Sequence, residues 1–203
     1  MPQKLLQILT SPENQNKLSP ERKETLQEIA AFAKTKQQQG KIAKLNFVCT
    51  HNARRSLIAE VISLELKEYF RIPTIECYSG GTEVTQVHPN TLTALRKFGF
   101  EFSLDSQYSA NPRYLVKASK DFSQNIYSKL YDDPPNPSSG YAAVMLCNQA
   151  DTNCPVVYGA EVRYRLPFAD MQVFDSLENA LENYEKAILY IARELFYLFQ
   201  ILD

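Results

Sequence analysis

The sequence predicts an α/β fold: a four-stranded parallel sheet flanked by helices, with an extra helix at the N-terminus. Three observations carry this. Short apolar runs alternate with segments of helical period. The run YAAVMLC is apolar throughout, as a strand covered on both faces must be. The first strand-like run, AKLNFVC, passes through a tight loop straight into a helical pattern. With 203 residues, 44% of them hydrophobic, the chain suits one well-buried core and is short for two.

In chain order, residues 1–44 are polar and rich in Gln and Lys. Ser19 and Pro20 stand as cap and first helical residue before ERKETLQEIAAFAK. Leu26, Ile29, Ala30 and Ala33 repeat there at helical spacing, so residues 1–44 read as a helical extension packed on a domain spanning 45–203. AKLNFVC is the first strand and RSLIAEVISLELKEYF the next helix, with Leu57, Ile58, Val61, Ile62, Leu66 and Phe70 on one face. TIECYS follows as a strand and HPNTLTALRKFGF as a helix ended by Gly99. From Phe100 to Gly140 the sequence ends in YDDPPNPSSG, which predicts a surface loop with some local helix, inserted at about 104–140 and lying at the active-site edge. YAAVMLC and EVRYRLP supply the last two strands. The closing helix places Leu177, Leu181, Tyr184, Ile188, Ile191, Leu195 and Leu198 toward the core.

Composition narrows the function. A formal charge of −1, with Lys and Arg scattered except at Arg54-Arg55, leaves no basic footprint for nucleic acid. No apolar run approaches the roughly 18 residues that cross a bilayer, and KLLQIL lacks a small-residue cleavage site, so a cytoplasmic protein without a membrane partner is expected. In that compartment Cys49, Cys77, Cys147 and Cys154 are expected as thiols with chemistry of their own, not as a static disulfide framework.

The stretch LNFVCTHNARRSLIAEVI concentrates that chemistry. A strand, a tight loop and a helix N-terminus bring backbone N–H groups onto one point, where the helix dipole adds positive charge; the point suits a tetrahedral oxyanion. Cys49 at the floor of this cradle would be held as a thiolate by the same field. Arg55 can fork onto two oxygens of the anion, and Ser56 can donate its hydroxyl to the Cys49 sulfur. Asn52 tolerates the left-handed backbone that such a loop requires.

VCTHNARRS resembles the C-x5-R-S phosphate-binding loop of the low-molecular-weight protein tyrosine phosphatase family, and YSGGTEVTQVHPNTLTALRKFGF resembles that family's next strand, glycine turn and helix. The resemblance covers about Leu45 to Asp203 and implies a flavodoxin-like three-layer arrangement. It also implies that Thr50, His51, Asn52, Ala53, Arg54 and Arg55 surround a bound oxyanion such as phosphate, sulfate or arsenate, with no tightly bound cofactor. His51 stands where glycine is usual and narrows the mouth. Ala53 and Arg54 also depart from the pattern, and Arg54 adds positive charge beside the cradle.

The segment MLCNQADTNCP sets Cys147 at the end of the third strand and Cys154 seven residues on. Carboxyl ends of neighbouring parallel strands line one crevice, so Cys147 can neighbour Cys49 and resolve an adduct formed there. Cys147, Ala150, Asp151, Cys154 and Pro155 match the C-x6-C-P segment of the thioredoxin-coupled arsenate reductases, a branch of the same fold. That resemblance implies attack of Cys49 on arsenate, a Cys49–Cys147 disulfide, its transfer to Cys147–Cys154, and reduction by thioredoxin or a similar thiol donor. Inert thiols on a phosphatase, a thiol that guards Cys49, and a zinc site are the competing readings, the last lacking two further ligands. Cys77, inside a strand, reads as a small buried hydrophobe.

Loss of an oxygen leaving group needs a proton. The family supplies it from an Asp-Pro after the fourth strand; Asp170 matches, with Met171 in place of proline, and Asp175 is the fallback. Asp132 and Asp133 precede the third strand and are decoys by topology. The resemblance also makes Asn52, Glu60 and Ser79 candidate potassium ligands. His88, before Pro89, marks a helix start. The expected function is arsenate reduction; hydrolysis of phosphotyrosine or small phosphate esters through a cysteinyl-phosphate is the alternative, and a non-catalytic oxyanion sensor the third reading.

Overall fold

The computed structural model describes residues 1–15, 17–105, 110–117, 123–148 and 157–203. The elements are α1 (Gln3–Leu9), α2 (Pro12–Gln15), α3 (Pro20–Gln38), β1 (Ala43–Cys49), α4 (Arg55–Tyr69), β2 (Ile75–Gly81), α5 (Pro89–Lys97), β3 (Phe102–Leu104), β4 (Tyr114–Lys117), β5 (Ser123–Ile126), β6 (Tyr141–Met145), β7 (Ala160–Arg165), a 3-10 turn (Met171–Phe174) and α6 (Ala180–Leu202). The order β2-β1-β6-β7, parallel throughout, is the predicted four-stranded sheet with helices flanking it. β1 lies between β2 and β6, so the connections that leave the carboxyl ends of β1 and β6 run to opposite sides and open a crevice between them.

β1 and β6 are almost wholly buried because each has a strand on both sides and helices over it, whereas β7 at the edge is half-exposed. α4 is buried from Arg55 to Leu66 on every face, not along one stripe, since it packs on β1, β2 and α6 together. Ser19 caps α3 as predicted, its side chain accepting from the Arg22 amide at 3.3 Å. Leu26, Ile29 and Ala33 are fully buried against β1 and α6, and KLLQIL, unassigned from sequence, is a further short helix that seats Leu5 and Leu9 in the same core. No helix among the described residues is long and apolar enough to cross a membrane.

Three expectations need correction. The described residues from Phe100 to Gly140 hold, in place of the expected loop with local helix, a three-stranded antiparallel sheet, β3-β4-β5, with Val116 and Ile126 facing the core. Beyond β5 it runs beside the end of β2, where Gly81 N–H donates to the Lys129 carbonyl at 2.8 Å and Tyr131 N–H to the Gly81 carbonyl at 3.0 Å. The third parallel strand ends at Met145, two residues before Cys147. Leu177 precedes α6 and is 46% exposed; the core-facing face of that helix begins with Ala180 and Tyr184.

Candidate active site

Cys49 ends β1 and Arg55 opens α4, so residues 50–54 form a tight turn over the helix N-terminus. The turn is gripped from outside through its carbonyl oxygens. Those of Cys49 and Thr50 accept from the Thr82 and Glu83 amides at 3.1 and 2.9 Å, and that of His51 accepts from Ser128 Oγ at 2.7 Å. The Ala53 carbonyl accepts from His88 N–H and Thr91 Oγ1, both at 3.1 Å. A trans peptide carries its N–H on the edge opposite its C=O. Holding these oxygens outward therefore turns the amides of Thr50, His51, Asn52 and Arg54 toward the inside, the arrangement an oxyanion requires.

Asn52 has φ +48°, the left-handed conformation expected of it. Its Nδ2 donates to Ser56 Oγ and to Ser79 Oγ, each at 2.8 Å, and Ser56 Oγ lies 3.0 Å from Cys49 Sγ. The nucleophile candidate thus has the predicted hydroxyl partner, itself fixed from behind. A side chain at Gly81 would meet the Thr50 carbonyl at 2.6 Å and the Asn52 amide at 3.0 Å, so only glycine allows β2 this close to the turn.

Arg55 is 8% exposed; its guanidinium donates to the Phe168 carbonyl at 3.3 Å and lies 3.3 Å from Asp170 Oδ1. Asp170 is thereby set at the mouth of the cradle, 45% exposed, while its Oδ1 also accepts from the Gln172 amide at 3.1 Å and caps the 3-10 turn. The segment bearing it is pinned by the N-terminal extension: Arg22 donates to the Pro167 carbonyl at 2.8 Å, and its guanidinium lies 4.8 Å from the Phe168 ring centroid.

Asp175, the fallback acid, is otherwise engaged. It pairs with Arg54 and accepts from Tyr184 OH at 2.5 Å, while Arg54 Nε donates to the same hydroxyl at 2.7 Å. Burial alone would lower the Arg54 guanidinium, but its bonds to Tyr184 and Asp175 outweigh burial and leave it above its ordinary value. Burial and the Asp175 bond raise the Tyr184 hydroxyl. The positive charge expected of Arg54 beside the cradle is therefore matched on the spot. His88 caps α5 as predicted, Nδ1 accepting from Asn90 N–H at 3.3 Å, and stacks on Tyr184. Burial, then Arg54, press His88 below its ordinary value against the pull of Asp175. His51 turns to Glu83 at 3.3 Å, and Asp133 accepts from the Leu130 amide in a local turn.

Cys147 follows the end of β6 by two residues. Val48 pairs with Met145, the Leu146 amide donates to the Val48 carbonyl at 2.8 Å, and on the next residue Cys147 Sγ is 3.5 Å from Thr50 Oγ1. Cys147 is 3% exposed. Ala150, Asp151, Cys154 and Pro155 lie outside the described residues. Cys77 is buried and its thiol pushed up to about 12 by burial, in keeping with an inert role.

Asn52, Glu60 and Ser79 do come together, but not around an open cation position. Ser79 Oγ donates to Glu60 Oε2 at 2.5 Å, Gln124 Nε2 donates to Oε1 at 2.6 Å, and the buried Lys129 ammonium lies 3.5 Å from Oε2. The Asn52 oxygen is taken by the Lys129 amide at 3.1 Å. With the carboxylate already facing an ammonium and the amide oxygen occupied, these residues do not fit an added potassium ion. Ser128, Lys129 and Gln124 were missed from sequence: each is an ordinary polar residue in a stretch without motif, and only long-range pairing brings it under the turn.

Comparison with known proteins agrees with this geometry. The family model for the low molecular weight phosphotyrosine protein phosphatase matches residues 44–121, a stretch that includes the turn, α4, β2 and α5. No curated protein matches the sequence. Among solved structures, an arsenate reductase from Archaeoglobus fulgidus superposes with a TM-score of 0.50 at 16% identity, covering 77% of this chain and 98% of that one. A YwlE mutant from Bacillus subtilis also reaches 0.50 at 16% identity, covering 79% and 98%. A low molecular weight protein tyrosine phosphatase from T. tengcongensis gives 0.47 at 17% identity, covering 79% and 99%. At these identities the likeness is one of fold.

Proposed function

We propose that the protein is an arsenate reductase in which Cys49, Cys147 and Cys154 act in sequence. The observation that carries this reading is the second thiol: Cys147, two residues past the end of β6, lies within hydrogen-bond reach of Thr50, the residue next to Cys49. The Cys49 thiolate attacks arsenic and an oxygen leaves as water, protonated by Asp170, giving a Cys49–S–As(V) adduct. The Cys147 thiolate then attacks the Cys49 sulfur. A sulfur–sulfur bond forms, the sulfur–arsenic bond breaks with its electron pair going to arsenic, and arsenite departs as the two-electron product. Cys154 displaces Cys49 from the mixed disulfide, and an external dithiol protein of the thioredoxin class reduces Cys147–Cys154.

Arg55 and the inward amides hold the oxyanion during both steps, with charge on the side where it develops. A second reading, hydrolysis of a phosphate monoester through a cysteinyl-phosphate, is favoured by the Arg55–Asp170 pair, which serves an alkoxide or phenoxide leaving group equally well. The 3-10 turn after Asp170 weighs against phosphotyrosine. Met171 is buried, Val173 is exposed, and Phe174, the aromatic of the turn, packs against the core and is not offered as a face for a phenyl ring.

Substitution of Ala for Cys147 separates the two. With arsenate and a dithiol donor the variant should release no arsenite, while hydrolysis of p-nitrophenyl phosphate, if the wild-type protein performs it, should persist. Arsenite release at the wild-type rate from Cys147→Ala would exclude the thiol relay.

A further inference from the structure

Glu60 is 1% exposed and Lys129 2% exposed, and together they lie behind the oxyanion turn. A carboxylate this deep is costly unless its charge is met and its lone pairs filled. Ser79, Gln124 and the Lys129 ammonium do both, and the ammonium also lies 5.1 Å from the Tyr127 ring centroid. The contacts continue to the reacting sulfur: Glu60 to Ser79, Ser79 to Asn52, Asn52 to Ser56, and Ser56 to Cys49. The Lys129 amide closes a second path by holding Asn52 Oδ1 at 3.1 Å, which fixes the side chain of the residue in the left-handed conformation.

We propose that Lys129 is a positioning residue, a cation built into the chain that holds Glu60 and, through Ser79 and Asn52, keeps the oxyanion turn in its binding shape without a metal ion. An ammonium group and a potassium ion are close in size and equal in charge, so the side chain supplies covalently what a bound monovalent cation would otherwise supply at the same carboxylate. The inference rests on the reading of the turn as an oxyanion site, and the test has one readout that does not.

Wild-type protein and Lys129→Met are compared in sodium and potassium chloride at equal ionic strength, by thermal unfolding and by calorimetric binding of inorganic phosphate. The wild type should unfold at the same temperature in both salts and bind phosphate equally. Lys129→Met should lose about tenfold in phosphate affinity with sodium, since its buried carboxylate has lost its counter-charge. Potassium should restore that affinity and raise the unfolding temperature of the variant. A potassium-specific rise in the wild type, or a variant indifferent to the cation by both readouts, would overturn the proposal. Wild-type protein that binds no phosphate would instead sink the functional reading, and unfolding would still decide the role of Lys129. Should Lys129→Met fail to fold in either salt, Glu60→Gln/Lys129→Met decides: with no uncompensated carboxylate it should fold, and its failure would count against the pairing.

Discussion

The two sides of β1 are built to different standards. On the β2 side the turn is held by Gly81, Ser128, Lys129, Glu60 and Ser79, in a network of buried groups with contacts of 2.5 to 3.5 Å. On the β6–β7 side stand the groups that, under the proposed function, would move protons and electrons: Asp170 is half-exposed, on a 3.3 Å contact to Arg55 and a 3.1 Å bond from the Gln172 amide, and Cys147 meets Thr50 at 3.5 Å. The difference separates binding from chemistry. A cradle that must present its amides without reorganising gains from rigidity, whereas an acid and a resolving thiol must each change partner during turnover.

The comparison can be broken by substitutions on either side. The largest effect is expected on the chemical side: Asp170→Asn should lower turnover by about 10²- to 10⁴-fold, while phosphate affinity stays within a factor of about three. Equal losses in both would mean that Asp170 serves the cradle. On the binding side, Gly81→Ala forces a Cβ into the Thr50 carbonyl, and should cost about 1–3 kcal/mol of stability along with most of the oxyanion affinity. Unchanged phosphate binding in that variant would show the turn to be less rigid than described.

Asp175→Asn sharpens the boundary between acid and scaffold. It removes the charged partner of Arg54 and weakens the bond to Tyr184, so unfolding should show a loss of about 1–3 kcal/mol, with the pH dependence of turnover unaltered. A shifted acidic limb of the rate profile would transfer the acid role to Asp175. The smallest effect concerns His88. Its folded value lies below its unfolded one, so the unfolded chain binds the extra proton first. The stability due to the neutral ring is complete above the ordinary histidine value and is lost as pH falls from there through the folded value. His88→Gln should flatten that part of the stability profile; a curve of unchanged shape would remove His88 from the account.

Much of this was legible in the sequence. β1, β2 and β6 could be read because apolar runs of strand length between turn residues have few alternatives, and the turn could be read because C-x5-R-S before a helix satisfies charge, amide and backbone requirements at once. Asn52 was legible through its backbone tolerance and His88 through the proline after it. β3, β4 and β5 were not, since strands of three or four residues with at most one buried side chain each show no usable alternation. Lys129 was not for a deeper reason: nothing local marks a lysine as buried, and its place is set by pairing between Leu130 and Gly81, far apart in sequence. Leu177 failed because helical spacing continued past the true start of α6.

The relay can be tested most directly by mapping disulfides by mass spectrometry after arsenate is added to fully reduced protein. A Cys147–Cys154 bond should form in the wild type together with arsenite, and Cys154→Ser should trap Cys49–Cys147 instead. Arsenite release with all three thiols still free, or arsenate consumed by neither protein, would contradict the account.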